Sequence, residues 1–154
     1  MQVLTAVTEK RRLALLINAL LAMKGKHQLD GAESIQYIVS KLNTLDGDIA
    51  GISQKYSAFP IIHFFHDRSR NDSLPLNAYK LNHCLNEVIQ SPTVSSDAVT
   101  QIKQTQLLLK MLAIKSLRHQ FVQKHLLQEA NKKGRNYLTT DKLLFLYRNS
   151  TVYD

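Results

Sequence analysis

Three histidines, His63, His66 and His83, are the residues of this 154-residue chain whose types first suggest chemistry. His63 and His66 are three residues apart, so they would share one face of a helix, and imidazole is a common zinc ligand. The sequence does not complete a recognised zinc pattern, because the single cysteine, Cys84, adjoins His83 and their side chains would diverge on a helix. Histidines set among aromatic residues more often belong to a core. We therefore predict no metal site and no cofactor.

A second candidate for chemistry is the run Arg118-His-Gln-Phe-Val-Gln-Lys-His125. An arginine and a histidine separated by six residues, with a polar residue after the arginine, resemble the motif of HEPN-type ribonucleases. That resemblance implies that Arg118 and His125 meet near a helix to hold and cleave an RNA phosphate, often across a dimer. The same spacing also arises by chance in a lysine-rich helix. RNA cleavage by Arg118 and His125 is therefore the alternative interpretation.

Other enzyme templates are missing from the sequence. It has no Gly-rich phosphate loop, no HExxH, no CxxC and no nucleophile elbow. Asp67, Arg68 and Arg70 could form a local ion-pair cluster, and exposed clusters of that kind are usually structural and weak. The sequence favours a non-enzymatic role.

Length and composition indicate one globular domain spanning residues 1–154. Hydrophobic residues make up 44% of the chain and charged residues 21%, which argues against wholesale disorder. One cysteine excludes an internal disulfide framework and fits a reducing compartment, so we expect a cytoplasmic protein. The longest nearly uncharged apolar segment, Leu13–Met23, is about half the length that a membrane span needs.

The net charge of +8 is unevenly distributed along the chain. Residues 1–97 carry ten Lys and Arg against nine Asp and Glu, whereas residues 98–154 carry ten against three. This C-terminal excess invites binding to nucleic acid or to an anionic membrane. We favour a solvated helix face as the explanation, because aromatic residues do not alternate with the basic ones and the sequence has no recognised nucleic-acid-binding motif.

The most unusual stretch runs from Tyr56 to Leu85. It contains Tyr56-Ser-Ala-Phe-Pro-Ile-Ile-His-Phe-Phe-His66 and then Ser73-Leu-Pro-Leu-Asn-Ala-Tyr79. These two runs resemble the soluble segment that follows the pore in some bacterial two-transmembrane potassium channels. The resemblance implies a cytoplasmic helical module, and without pore helix, selectivity filter or membrane spans the chain cannot conduct ions by itself. The candidate functional residues of this stretch are Phe59, Pro60, His63, His66, Asp67, Arg68 and Arg70.

Helix signals divide the first half of the chain. The first helix is predicted to start at Thr5 or Thr8 and to end near Gly25, with an apolar stripe formed by Leu13, Leu16, Ile17, Leu20 and Leu21. Near its start, the basic cluster 10–12 is either a solvent-exposed face or charge next to a membrane. A capping box at Asp30–Glu33 begins a second helix that Gly47 should close, and Asp48 should cap a short third one.

The second half is predicted with equal regularity. Residues 59–66 form a hydrophobic plug in the core, and Ser73 caps a helix that has Pro75 in its first turn and ends at Ile89. After a break at 90–96, the longest helix runs from Asp97 to Lys132. Its middle, residues 107–114, is apolar nearly all round and should lie deep in a bundle. Residues 142–147 are helix or strand, within a peripheral tail at 137–154.

Together these patterns predict an all-α fold, a single bundle of five to six helices with one long central helix near the C-terminal half. The hypothesis for function is a non-enzymatic regulatory or interaction module that packs against copies of itself or a protein partner. The alternatives are a HEPN-like ribonuclease and a basic nucleic-acid-binding protein that uses residues 98–154.

Overall fold

The structure, a computed structural model, describes residues 2–26, 31–64, 69, 73–117 and 139–149. Five α-helices lie within these ranges: α1 (Gln2–Lys26), α2 (Gly31–Ala58), α3 (Leu74–Ile89), α4 (Ser96–Leu117) and α5 (Thr140–Asn149). A short 3-10 helix, Pro60–Phe64, follows α2. No strand occurs among the described residues, and the all-α prediction is confirmed.

Helix α3 begins and ends where the sequence predicts, for local reasons. Ser73 has an extended backbone, and its side-chain oxygen accepts a hydrogen bond from the backbone N–H of Leu76 at 3.4 Å. Pro75 stands in the first turn, where a helix needs no N–H. The buried apolar side chains of the helix recur at three and four residues: Leu74, Ala78, Leu81, Leu85 and Val88.

Four helices form a ring in which α1 and α4 lie diagonally opposite each other. Helix α1 packs against α2 and α3, and α4 packs against the same two helices. Two contacts set α1 and α3 parallel: the Asn77 amide donates to the Ala14 carbonyl at 2.9 Å, and Lys24 pairs with Glu87 at 3.0 Å. Because α1 and α4 are diagonal, their outer faces point away from each other.

Helix α5 packs against α3 and α4 and belongs to the core. Its side chains Leu143, Leu144 and Tyr147 are buried. The prediction that residues 137–154 form a peripheral tail is therefore wrong for the described part, residues 139–149. The apolar residues in the run Leu143–Tyr147 follow helical spacing, so the ambiguous last element is a helix that fills the side of the ring.

Helix α2 is continuous, which corrects the prediction that Gly47 ends it. Downstream of Gly47, the side chains of Ile49, Ile52 and Tyr56 are buried on the face that α2 has presented since Ile38. A glycine inside a helix costs about 1 kcal/mol. Burying one isoleucine contributes roughly 1.5–3 kcal/mol, so continuing the helix outweighs ending it at the glycine.

The predicted plug at residues 59–66 is only partly in the core. Among its described side chains, Ile62 is fully buried, Phe59 and Pro60 are half-buried, and Ile61 is exposed. A 3-10 helix has three residues per turn, and a helix of only five residues can therefore direct few of its side chains into the core. His66 lies outside the described residues.

The basic cluster 10–12 is not a uniform solvent-exposed face. Lys10 is only 1% exposed, Arg11 is half-buried and Arg12 is exposed. Lys10 lies between Ala6 and Leu13 on the inward face of α1, and helical spacing carries it into the interior. Of the three basic residues, only Arg12 therefore presents its charge fully to solvent on the outer side of α1.

Candidate interaction surface

The sequence-predicted site residues are only partly described by the structure. Phe59, which follows α2, and Pro60, the first residue of the 3-10 helix, are half-buried, and His63 belongs to the same 3-10 helix. The remaining candidates lie outside the described residues: His66, Asp67, Arg68, Arg70, Arg118 and His125. The ribonuclease motif and the charged loop therefore stay predictions. The predicted continuation of α4 to Lys132 also lies outside the described residues.

The surroundings of the single cysteine do not favour reactive chemistry. Burial raises the pKa of the Cys84 thiol, and the nearby Lys24 ammonium lowers it only in part. His83 is exposed, and its Nδ1 lies 3.5 Å from a Glu87 carboxylate oxygen. In the described part of the chain, no three His, Cys, Asp or Glu side chains group as a metal site needs. This corner of the molecule joins α1 to α3.

A buried carboxylate fixes α4 against α2. The side chain of Asp46 accepts hydrogen bonds from the Thr105 hydroxyl at 2.6 Å and from the Gln101 amide at 2.7 Å. Burial raises the pKa of Asp46, and these two hydrogen bonds lower it in part. Both donors come from the next helix of the ring, so we assign Asp46 a structural role in joining α2 to α4.

A second polar cluster joins α3, α4 and α5. The Gln106 amide donates to the side-chain oxygens of Asn82, at 3.1 Å, and Asn86, at 2.7 Å. The Asn86 amide in turn donates to Asp141 at 3.2 Å. These side chains largely satisfy one another, which suits a structural junction better than a ligand site.

The outer face of α1 is a feature that packing among the described helices does not explain. From Leu13 to Met23 this helix has no charged residue, and it is apolar on nearly every side. Its inner side, formed by Leu13, Ile17 and Leu20, is buried in the core. On its outer side Leu15 is 50% and Leu16 39% exposed. A helix that is apolar all round normally has partners on every side.

Two exposed alanines extend this face, which we call the α1 outer face: Leu15, Leu16, Ala19 and Ala22. The exposed Arg12 precedes this face. Positions 12, 15, 19 and 22 are three, four and three residues apart, which is the spacing of a helix-packing seam. Small residues in such a seam let a second helix approach closely. The face thus has both projecting leucines and a low, flat surface beside them.

A groove of about 310 Å³ adjoins the α1 outer face, between α1 and α2. Its α1 side includes Leu16, Ala19 and Met23, and its α2 side includes Tyr37, Lys41 and Thr44. Lys41 is the only charged residue of this lining, and its ammonium lies 5.6 Å from the centre of the Tyr37 ring. Mostly apolar walls of this kind suit an aliphatic side chain.

The opposite end of the α1–α2 pair is polar. A smaller groove of about 180 Å³ there is lined by Glu9 and Arg12 of α1 and by Gly47, Asp48 and Gly51 of α2, among others. Glu9 forms an ion pair with Lys55 across the helix pair. Apolar contact is therefore concentrated at the C-terminal half of α1, and charge at its N-terminal half.

A second exposed apolar stripe lies on α4 and corrects the prediction that residues 107–114 are deeply buried all round. Leu109, Leu112 and Ala113 are fully buried, whereas Leu107 is 57%, Met111 40% and Ile114 36% exposed. We call the last three residues the α4 stripe. Sequence periodicity did not reveal it, because both sides of this helix are apolar and only the position of α4 in the ring selects the inner one.

Comparison of the chain with family models, curated proteins and solved structures found no match. No helix within the described ranges is long and apolar enough to cross a membrane.

Proposed function

We propose that this chain is a non-catalytic helical assembly module that binds a second copy of itself through the α1 outer face. The observation that carries the proposal is the exposure of Leu15 and Leu16 on a helix segment that has no charge from Leu13 to Met23. Exposed apolar patches that continue over several residues mark interaction sites.

A second copy is the partner that fits the shape of this surface. A two-fold interface uses the same patch on both subunits, so the patch must provide its own projection and its own recess. Leu15 supplies the projection, and the groove between α1 and α2, which Leu16 and Ala19 help to line, supplies the recess. In an antiparallel pair of α1 helices, Leu15 of each copy would face the groove of the other copy.

Charge permits this contact. Between Arg12 and Lys24 the sequence of α1 is free of ionisable groups, so no like charges face each other at the centre of the pair. Each copy nevertheless carries a net charge of +8, which opposes association at low ionic strength. The resemblance to the soluble segment of bacterial potassium channels is compatible with the same role, as part of a larger symmetric assembly.

The test is the mass of the full chain in solution, measured by light scattering on a sizing column. We expect a concentration-dependent dimer, and Leu15→Glu should weaken it at least about tenfold because a charge would enter an apolar contact. Leu107→Glu is the matched control, since it makes the same change at an equally exposed leucine on the opposite side of the ring.

A monomer at every concentration would overturn the proposal, as would a dimer that Leu107→Glu disrupts and Leu15→Glu does not. A tetramer sensitive to Leu15→Glu would support self-assembly and favour the channel-derived interpretation. Circular dichroism of both variants shows that the helices are intact. Because both leucines are exposed, neither substitution should unfold the chain.

A further inference from the structure

We propose that the α4 stripe adsorbs to an anionic lipid surface, independently of self-association through α1. The stripe consists of Leu107, Met111 and Ile114, which lie four and then three residues apart and so form one line along the helix. Three large aliphatic side chains exposed in a line on a surface helix are the apolar half of an interfacial helix.

Lysines flank this line on both sides. With 3.6 residues per turn, Lys103 and Lys110 lie within about 70° of the centre of the stripe on one side, and Lys115 at about 70° on the other. Lys103 is exposed, and Lys110 and Lys115 are half-buried. None of the three forms an ion pair with another described residue. Lysine stems can lie along the apolar line while their ammonium groups reach outward.

Acidic residues are nearly absent from the same helix. In α4 the only carboxylate is Asp97, in the first turn, ten residues before Leu107. The helix also lies in the strongly basic part of the chain, residues 98–154, where ten Lys and Arg stand against three Asp and Glu. An apolar line bordered by cations and lacking anions complements lipid headgroups of negative charge above an acyl layer.

Nucleic acid is the competing partner for a basic helix, and the stripe argues against it. Phosphate contacts need the lysines but gain nothing from three exposed aliphatic side chains between them. Binding of single strands uses aromatic side chains to stack bases, and α4 contains no aromatic residue. The apolar line is the part of the surface that only the lipid partner uses.

The experiment is co-sedimentation of the full chain with vesicles of phosphatidylcholine and phosphatidylserine, compared with vesicles of phosphatidylcholine alone. We expect binding to the anionic vesicles, a loss of binding as salt rises, and little binding to the neutral ones. Leu107→Glu and Met111→Glu should each weaken partitioning at least about tenfold. Replacing Lys110 by Gln should weaken it about fivefold.

Ile61→Glu is the matched control, because it adds the same charge at a 55% exposed residue that lies in the 3-10 helix, outside both α1 and α4, and it should leave vesicle binding unchanged. The proposal is overturned if the chain does not sediment with anionic vesicles. It is equally overturned if Leu107→Glu and Met111→Glu bind them as well as the parent chain does. It is also overturned if a fluorescent single-stranded RNA displaces the parent chain from the vesicles and binds both stripe variants as tightly as it binds the parent chain. Self-association is read separately from the solution mass, so failure of one proposal does not decide the other.

Discussion

The hydroxyl groups of Tyr56 and Tyr147 lie 3.0 Å apart in the core and form a hydrogen bond between α2 and α5. Both rings are fully buried. The contact joins the middle of the chain to its last described helix, across 91 residues of sequence. It adds a link to α2 to the packing of α5 against α3 and α4.

Tyr147→Phe should lower the free energy of unfolding by about 1 kcal/mol, because it removes the hydroxyl that hydrogen-bonds to Tyr56 and leaves the ring in place. Tyr147→Ala should cost about 3–5 kcal/mol, since it also opens a cavity. Urea unfolding measures both. Similar stabilities for Tyr147→Ala and the parent chain would show that α5 does not contribute to the core.

Asp46 gives a prediction for pH dependence. Burial raises its pKa, so the folded chain binds this proton more tightly than the unfolded chain does. The resulting stabilisation is complete below the unfolded-state pKa of about 3.9 and is lost as pH rises through the higher folded-state pKa. In Asp46→Asn this titration is absent. The stability of the parent chain relative to the variant should therefore fall across that window and be flat above it.

Urea unfolding at a series of pH values from about 3 upward would measure this difference. Thr105→Val supplies a second test, because it removes a hydrogen bond that favours the charged carboxylate. In that variant the pH range over which the Asp46 stabilisation is lost should extend to higher pH, because the pKa of the folded state rises further. A stability difference between parent and Asp46→Asn that stays constant with pH would contradict the assignment.

Gly47→Ala should stabilise the protein by about 0.5–1 kcal/mol. Gly47 lies inside α2, and apart from its chain neighbours and the backbone of its own helix a Cβ atom built there meets nothing within 4 Å. Alanine then gains helix propensity and reduces the freedom of the unfolded chain. Thermal unfolding provides the measurement, and Gly47→Pro, which should cost about 3 kcal/mol or more, is the opposite control. Destabilisation by alanine would indicate that the helix ends at this position.

The dimer proposed for the α1 outer face should tighten as salt is added from a low concentration. Each copy carries a net charge of +8 and the contact itself is apolar, so screening removes repulsion without weakening attraction. Vesicle binding by the α4 stripe should respond in the opposite direction. Sedimentation at several salt concentrations measures the first, and dimers that dissociate in salt would point to a charged interface.

The parts of the fold that the sequence predicts are those that neighbouring residues determine. Ser73 and Pro75 set the start of α3 whatever surrounds them, and the polar break at 90–96 separates α3 from α4 in the same way. The prediction at Gly47 was wrong because the free-energy cost of a glycine in a helix is smaller than the free energy gained by burying the apolar residues that follow it. The burial of Lys10 was not predicted because packing decides which side of α1 faces the core.

The candidate surfaces were only half visible in the sequence. The uncharged segment Leu13–Met23 and the apolar run 107–114 both stand out, but their composition suggests burial. Whether Leu15 or Leu107 is exposed depends on which side of its helix packs against α2 and α3. The sequence does not give the positions of those two helices. Periodicity cannot choose a side in a helix that is apolar on both.

The diagonal placement of α1 and α4 has a consequence for any two-fold pair joined through α1. Each copy turns its α4 stripe away from the contact, so the pair presents two stripes on opposite outer sides. A single flat bilayer can meet only one of them. Such a pair would act as a tether between two lipid surfaces, and mixing it with anionic vesicles would make the suspension turbid, whereas Leu15→Glu would bind the vesicles and leave them dispersed.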